Sequence, residues 1–353
     1  MPSARAFAAP SFVQSLSGSR VVVRATTGLE QLLASELTEL GHSIDASSKR
    51  QLVVSVANES ILTRPPRLAD DFFVVASETP DPGAQRRRLF DAIENLRLDH
   101  ARHVLSPSPR PFAVSASFVG KRNYSRFDIE DAIGSALSQQ GVGTYTSRRD
   151  GAVPPRDAAP WRVTLDGSTM YVGPRPFSAP LHRRPWRTET VLGSLHPPVA
   201  AAMVRVARIE KDTTAIDPCC GAGTILLEAR LAAPAATLIG RDVDPGAITT
   251  ARRNGAGLGI DWALGDASRI DSSVRCVDRI ITNPPWGVRR TAGDLDAFLG
   301  EWRRVIDLRG LLVVLLDETQ QAVITDHPHW TVTAAYPVSV AGRHPRIFLA
   351  QPR

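Results

Sequence analysis

The sequence predicts an α/β fold in its C-terminal half and an α+β fold ahead of it. Three observations carry this. From His196 onward the pattern strand, turn, helix repeats, which is how a mostly parallel sheet with helices on both faces is written. Residues before 185 mix helices with short strands and lack that alternation. Between the two, residues 174–185 hold four prolines among arginines and read as a boundary. The chain therefore divides into residues 1–185 and 186–353.

In chain order, Val21, Val22 and Val23 mark a strand. Thr27 and Glu30 stand at capping-box spacing beside Leu29, Leu32, Leu33, Leu37 and Leu40, one helical face that stops at Gly41. Strands are expected at 52–56 and 72–76. Phe112, Val114, Ala116 and Phe118 alternate as a strand, and Asp128 stands where it caps a helix bearing Ile129, Ala132, Ile133, Ala136 and Leu137. Residues 151–160 read as loop, and 161–165 with 170–172 as a hairpin. In the second half, strands are expected at 213–217, 237–242, 261–266, 277–283 and 311–317, with helices from Thr224, from Pro245 and near 295–306. No long helix separates 330–338 from 346–350, so these close a seven-stranded sheet as an antiparallel edge hairpin. No internal repeat or low-complexity tract is present.

With 353 residues, 43% hydrophobic and 22% charged, the composition is globular and excludes fibrous and disordered classes. No run approaches 18 apolar residues and no apolar core follows the first residues, so a soluble, cytoplasmic protein is expected. Three cysteines are too few for a disulfide framework, and the adjacent Cys219 and Cys220 cannot both reach one zinc, so no metal is expected. Cys276 reads as an apolar filler. The net charge of +6 lies wholly in the first half: residues 1–188 carry 24 Lys and Arg against 18 Asp and Glu, whereas 189–353 carry 18 of each. Lys occurs only at 49, 121 and 211, and the other 39 cations are Arg, whose planar fork suits phosphate. A polyanionic partner for the first half is one reading, and an Arg-rich solvated surface is the other.

Four segments carry chemistry. Asp217-Pro218-Cys219-Cys220-Gly221-Ala222-Gly223-Thr224 falls where the first strand of the α/β half turns into its helix, and its glycines let a ligand approach the backbone and the helix amides. The third glycine of a dinucleotide fingerprint and the Gly-Lys of a phosphate loop are both missing, which argues against a nicotinamide oxidoreductase or a nucleotide triphosphatase. Asp242 ends the second strand where a ribose hydroxyl pair would lie, and Asp266, followed by Ala267, ends the third where it can accept from an adenine amine. Taken singly, each is more often a helix cap or turn residue than a ligand, and their serial spacing in one α/β sheet reverses that. Asn283-Pro284-Pro285-Trp286 ends the fourth strand. There the Asn283 side-chain oxygen and the Pro284 carbonyl can accept both N–H bonds of an exocyclic base amine and so turn its lone pair toward an incoming methyl group. The prolines stiffen the loop, and Trp286 offers a stacking face to a flipped base.

These segments resemble the class I S-adenosylmethionine-dependent methyltransferases that methylate amines. More narrowly, they resemble the THUMP-domain RNA guanine-N2-methyltransferases, tRNA branch. Leu181-His182-Arg183-Arg184-Pro185-Trp186-Arg187, His196-Pro197-Pro198-Val199-Ala200-Ala201-Ala202-Met203 and Asn283 through Arg289 are similar to that family's interdomain and catalytic segments. Thr26-Thr27-Gly28-Leu29-Glu30 and Gly120 through Arg126 are similar to its N-terminal region. Cys219 stands where the family more often has Phe, Ala222 where it has Ser, and Trp286 where it has Tyr or Phe.

The resemblance implies a Rossmann-like methyltransferase domain behind a THUMP-type RNA-binding region. It implies S-adenosylmethionine as cofactor, bound by 217–224, Asp242, Val243, Asp266, Ala267 and Asn283, with Asn283, Pro284, Pro285 and Trp286 at the target amine. Lys121, Arg122, Arg126, Arg183, Arg184 and Arg289 are the expected RNA contacts. The expected reaction is methylation of a guanosine N2 in tRNA by direct displacement, by a protein expected to be a monomer. The rivals are guanine-N2 methylation of 23S ribosomal RNA, adenine-N6 methylation of DNA, and a non-catalytic RNA-binding protein with a decayed methyltransferase half.

Overall fold

A computed structural model describes residues 15–98, 109–285, 292–340 and 342–353. The chain splits into two compact units, the first holding Glu30–Leu181 and the residues up to Ala25, the second holding His182–Arg353 together with Thr26–Leu29.

The first unit contains two four-stranded sheets. In one, β1 (Arg20–Ala25) lies between β3 (Gln51–Ser55) and β4 (Ala69–Val74), and β2 (Ser43–Ser48) pairs with β3 at the edge. β2 is absent from the sequence expectation because Ser-Ile-Asp-Ala-Ser-Ser has no apolar alternation; it is mostly exposed at the sheet edge. In the other sheet β5 (Ser77–Pro80), β8 (Thr169–Pro174), β7 (Ala159–Leu165) and β6 (Phe112–Phe118) follow in that order, with β6 and β7 parallel. The helices are α1 (Glu30–Glu39), α2 (Ser60–Thr63), α3 (Arg86–Glu94) and α4 (Arg126–Gln139). One cap expectation is corrected: the cap of α4 is Ser125, which forms a capping box with Asp128 at the third helical position. Glu30 of α1 accepts the Arg50 amide at 2.9 Å. Val22, Val53, Phe73, Val75 and Tyr171 bury a small core shared by the two sheets, and Arg175 forks onto Asp71 beside it.

The second unit is a seven-stranded sheet of order β11-β10-β9-β12-β13-β15-β14. Its strands are β9 (Thr214–Asp217), β10 (Thr237–Asp242), β11 (Asp261–Leu264), β12 (Val277–Thr282), β13 (Ile306–Leu316), β14 (Trp330–Pro337) and β15 (Arg346–Pro352). The first five are parallel and the last two antiparallel. Strand order therefore reverses between β9 and β12, and open α/β sheets take their ligands at such a switch point.

Helix α8 (Ala292–Val305) covers one face, where Phe298, Leu299 and Trp302 pack with Ile280, Leu312, Val314 and Phe348. The buried Trp330 indole donates to the Leu299 carbonyl at 3.0 Å, so its polar edge is not stranded. The alternate residues Ile281, Val313 and Leu315 are buried on the opposite face. Helix α5 (Pro197–Ala207) packs on β12, β13 and β15 and against α6 (Thr224–Ala232), while α7 (Pro245–Asn254) packs on β10 and β11. Short α9 (Gln321–Thr325) follows β13. Among the described residues no helix is long and apolar enough to cross a membrane.

Trp262 of β11 fixes the cofactor-side half of this sheet. Its indole lies where a Cβ at Gly240 of β10 or at Gly223 would have to go. Substitution of Gly240 by Ala would drive a methyl into that ring, and we expect a lower urea midpoint, corresponding to about 1–3 kcal/mol. An unchanged midpoint would show that the indole has room to move.

Candidate active site

The carboxyl ends of β9, β10, β11 and β12 open into one cleft of about 790 Å³. The turn after β9 forms its floor. Gly221 and Gly223 both have positive φ, 52° and 83°, which a side chain would oppose. The Cys220 amide donates to the Arg241 carbonyl at 2.9 Å, and the Gly223 amide to the Cys220 carbonyl at 2.8 Å, so the turn is locked to β10. Asp217, Pro218, Cys219, Cys220, Gly221, Ala222 and Thr224 line the cleft. Gly223 does not, because it is turned toward Ala251 and Trp262.

Electrostatically the floor is acidic. Asp217 is 1% exposed and accepts the Cys219 amide at 3.1 Å. Burial, with Asp242 nearby, pushes its carboxyl up to about 7, against the pull of the Thr282 hydroxyl and the Cys219 amide. Asp242 accepts the Gly221 amide on one oxygen at 2.8 Å and the Asp244 amide on the other at 3.0 Å. Val243 beside it is exposed. Asp266 is exposed and accepts the amide and hydroxyl of Ser268 at 2.8 and 2.7 Å, next to buried Ala267. Burial pushes the Cys220 thiol well above its ordinary range, which leaves it a poor nucleophile.

Asn283 and Pro284 form the far wall. The Asn283 Oδ1 is buried and has no hydrogen-bond partner among the described residues. A buried amide oxygen without a donor is costly to the protein alone, so its position suits a ligand that brings an N–H. The neighbouring Pro285 carbonyl accepts from Gln320 Nε2 at 3.3 Å, which holds the loop from the next strand over. Trp286 and Arg289, expected here from the sequence, lie outside the described residues.

Sequence reasoning missed one wall. Residues 191–195 line the cleft, and Leu192 is 79% exposed there. Asn254, at the end of α7, holds the strap leading to them. Its oxygen accepts from the Thr188 amide and hydroxyl and the Glu189 amide, all at 3.1 Å, and its nitrogen donates to the carbonyls of Glu189 and Ala222. The signal available was a polar residue closing an amphipathic helix, which ordinarily reads as a cap. Val340 and Arg343 from the β14–β15 turn also line the cleft and were not foreseen.

Two expected RNA contacts are corrected. Arg122 forks onto Asp81 at 2.6 and 2.7 Å with a side chain only 4% exposed, and it also donates to Gly83 and Tyr124. Arg184 pairs with Glu228 at 2.8 Å, their side chains 6% and 0% exposed. Both cations are held inside the protein. Lys121, Arg126 and Arg183 are exposed. Among the described residues no cluster of His, Cys, Asp or Glu is arranged to hold a metal ion.

Comparison with known proteins gives this site a family. Residues 184–325 match the RMKL-like, methyltransferase domain. The tRNA (guanine(6)-N2)-methyltransferase of Thermus thermophilus is 30% identical over 241 residues, 67% of this chain and 68% of that protein. The chain belongs to the RMKL-like methyltransferase family. The enzyme of the same name from Archaeoglobus fulgidus is 25% identical over 76% of this chain and 74% of its own. The crystal structure of TrmN from Thermus thermophilus superposes with a TM-score of 0.76 at 26% identity, covering 95% of this chain and 99% of that one. A methyltransferase complexed with SAH shares the fold, with a TM-score of 0.71 at 16% identity over 94% of this chain and 97% of its own.

Two outcomes test this geometry. Replacing Arg184 with Ala leaves buried Glu228 without its counter-charge, and a loss of about 3–5 kcal/mol is expected in denaturant unfolding; an unchanged midpoint would return Arg184 to the surface. For Asp217, a raised carboxyl pKa means that the folded state holds the proton longer, so its stabilising share is full below about pH 4 and is lost as pH rises through about 7. The cofactor-free Asp217→Asn variant should therefore gain stability over the parent as pH goes from 5 to 8, by about 3 kcal/mol at most. A difference that does not change with pH would refute the assignment.

Proposed function

We propose that the chain transfers a methyl group from S-adenosylmethionine to the N2 amine of a guanosine in tRNA. The observation that carries this reading is the buried, unpartnered Asn283 Oδ1 at the end of a cleft whose floor fits the cofactor. That floor combines a glycine turn pressed against the cleft with carboxylates at the ends of β10 and β11, where a ribose and an adenine amine would be held. The names of the Thermus and Archaeoglobus relatives support guanine N2 as target and tRNA as substrate.

When bound, S-adenosylmethionine supplies an electrophilic methyl group. The protein's part is positioning. Asn283 Oδ1 and the Pro284 carbonyl accept the two N–H bonds of the guanine amine, so that its lone pair faces the methyl group and the C–N bond forms as the C–S bond breaks. The amine sheds its extra proton to solvent. Gln320, by holding the Pro285 carbonyl, limits the loop's freedom to turn away. Cys220 stays protonated and takes no part. Trp286 is proposed as the stacking face for the base, and Arg289 as a backbone contact.

In this reading residues 186–353 perform the chemistry in the cytoplasm, as a monomer and without a metal ion. Residues 1–185, a THUMP-type region, grip the RNA through Lys121 and Arg126, with Arg183 beyond them. Incubation with methyl-labelled cofactor and separate pools of unmodified tRNA, ribosomal RNA and DNA, followed by nucleoside analysis, tests this. Labelled N2-methylguanosine confined to tRNA is expected; label in ribosomal RNA alone or on adenine would move the substrate. At saturating cofactor the Asn283→Ala variant should lose at least about 100-fold in turnover, and retained turnover would overturn the role given to Asn283.

A further inference from the structure

The charge of the cleft is at odds with a polyanionic substrate. The carboxylates of Asp242, Asp244 and Asp266 line it, and among its described lining residues Arg343 is the one cation. A nucleotide that delivers its base to Asn283 must bring its phosphodiester past those carboxylates, which repel it.

Arg343 is placed and shaped for that phosphate. It sits on the turn between β14 and β15, closed by reciprocal backbone hydrogen bonds with Val340 at 3.0 and 2.9 Å. Its side chain is 58% exposed, and its nearest carboxylate, Asp317 Oδ2, is 3.6 Å away, which attracts the guanidinium without engaging its N–H donors in a hydrogen bond. The other Asp317 oxygen is taken by the Thr319 amide and hydroxyl at 3.1 and 2.6 Å. The Asp317 carbonyl accepts the amide of Gln320, whose side chain holds Pro285. One turn after β13 therefore registers both the substrate loop and the cation.

We propose that Arg343 binds the phosphate of the nucleotide whose base enters the cleft, with Asp317 as its positioning residue. This rests on the reading of the cleft as an RNA methyltransferase site. The guanidinium meets two phosphate oxygens with two N–H donors, a match that a lysine ammonium cannot make.

The test compares the parent with Arg343→Ala, Arg343→Lys and Asp317→Asn, using tRNA transcript and S-adenosylmethionine. For Arg343→Ala we expect the RNA KM to rise about tenfold, with calorimetric cofactor affinity unchanged and the slope of log K against log salt reduced by about 0.7–0.9. Arg343→Lys should restore the slope and only part of the KM. Asp317→Asn should raise the RNA KM while leaving the slope intact. An unaltered RNA KM and slope in Arg343→Ala would overturn the proposal, as would a parallel loss of cofactor affinity. Salt-dependent binding is read without turnover, so a parent chain that bound RNA yet methylated no guanosine would overturn the methyltransferase reading and still decide whether Arg343 meets a phosphate.

Discussion

Parallel pairing of β9 with β12, Ile216 beside Ile280, is the constraint from which the site follows. The chain reaches these neighbouring strands 60 residues apart in sequence, yet their carboxyl ends come out side by side. Asp217 leaves one end and Asn283 the other, so cofactor floor and amine-holding wall face a common space before any loop adds detail. The apolar layers above and below, with Trp302 on one side and α5 on the other, keep that pairing from sliding. A register shift in β12 would exchange the faces of its residues and bury the wrong ones.

Much of this was legible. Five apolar runs separated by turn residues gave the parallel strands, and the missing third glycine separated the cofactor turn from a dinucleotide site. What escaped has physical reasons. Helix α5 is buried almost all round, so it shows no polar stripe by which to recognise a helix. Strand β2 is polar because it lies at an edge. Arg122 and Arg184 looked like surface cations because their acids lie 41 and 44 residues away, a separation at which sequence gives no hint of pairing. Asn254 drew no notice in the sequence because a polar residue closing a helix is ordinary, whereas its five hydrogen bonds join three segments.

Charge inside the second unit is handled in two ways. The Arg184–Glu228 pair neutralises itself within the protein, at the cost of desolvating both groups. Asp217 is buried beside Asp242 and instead moves its proton affinity upward. The first arrangement fixes structure, while the second leaves an acidic floor whose charge responds to what binds above it.

The indole of Trp262 bears on how this fold tolerates change. It fills space left by two separate glycines, one in the cofactor turn and one in β10. Enlarging Gly240 demands a smaller partner at 262, and shrinking 262 opens a void that the glycines cannot fill. Sequence drift beside the cofactor turn is therefore tied to a side chain two strands away, and change at 240 and at 262 is coupled.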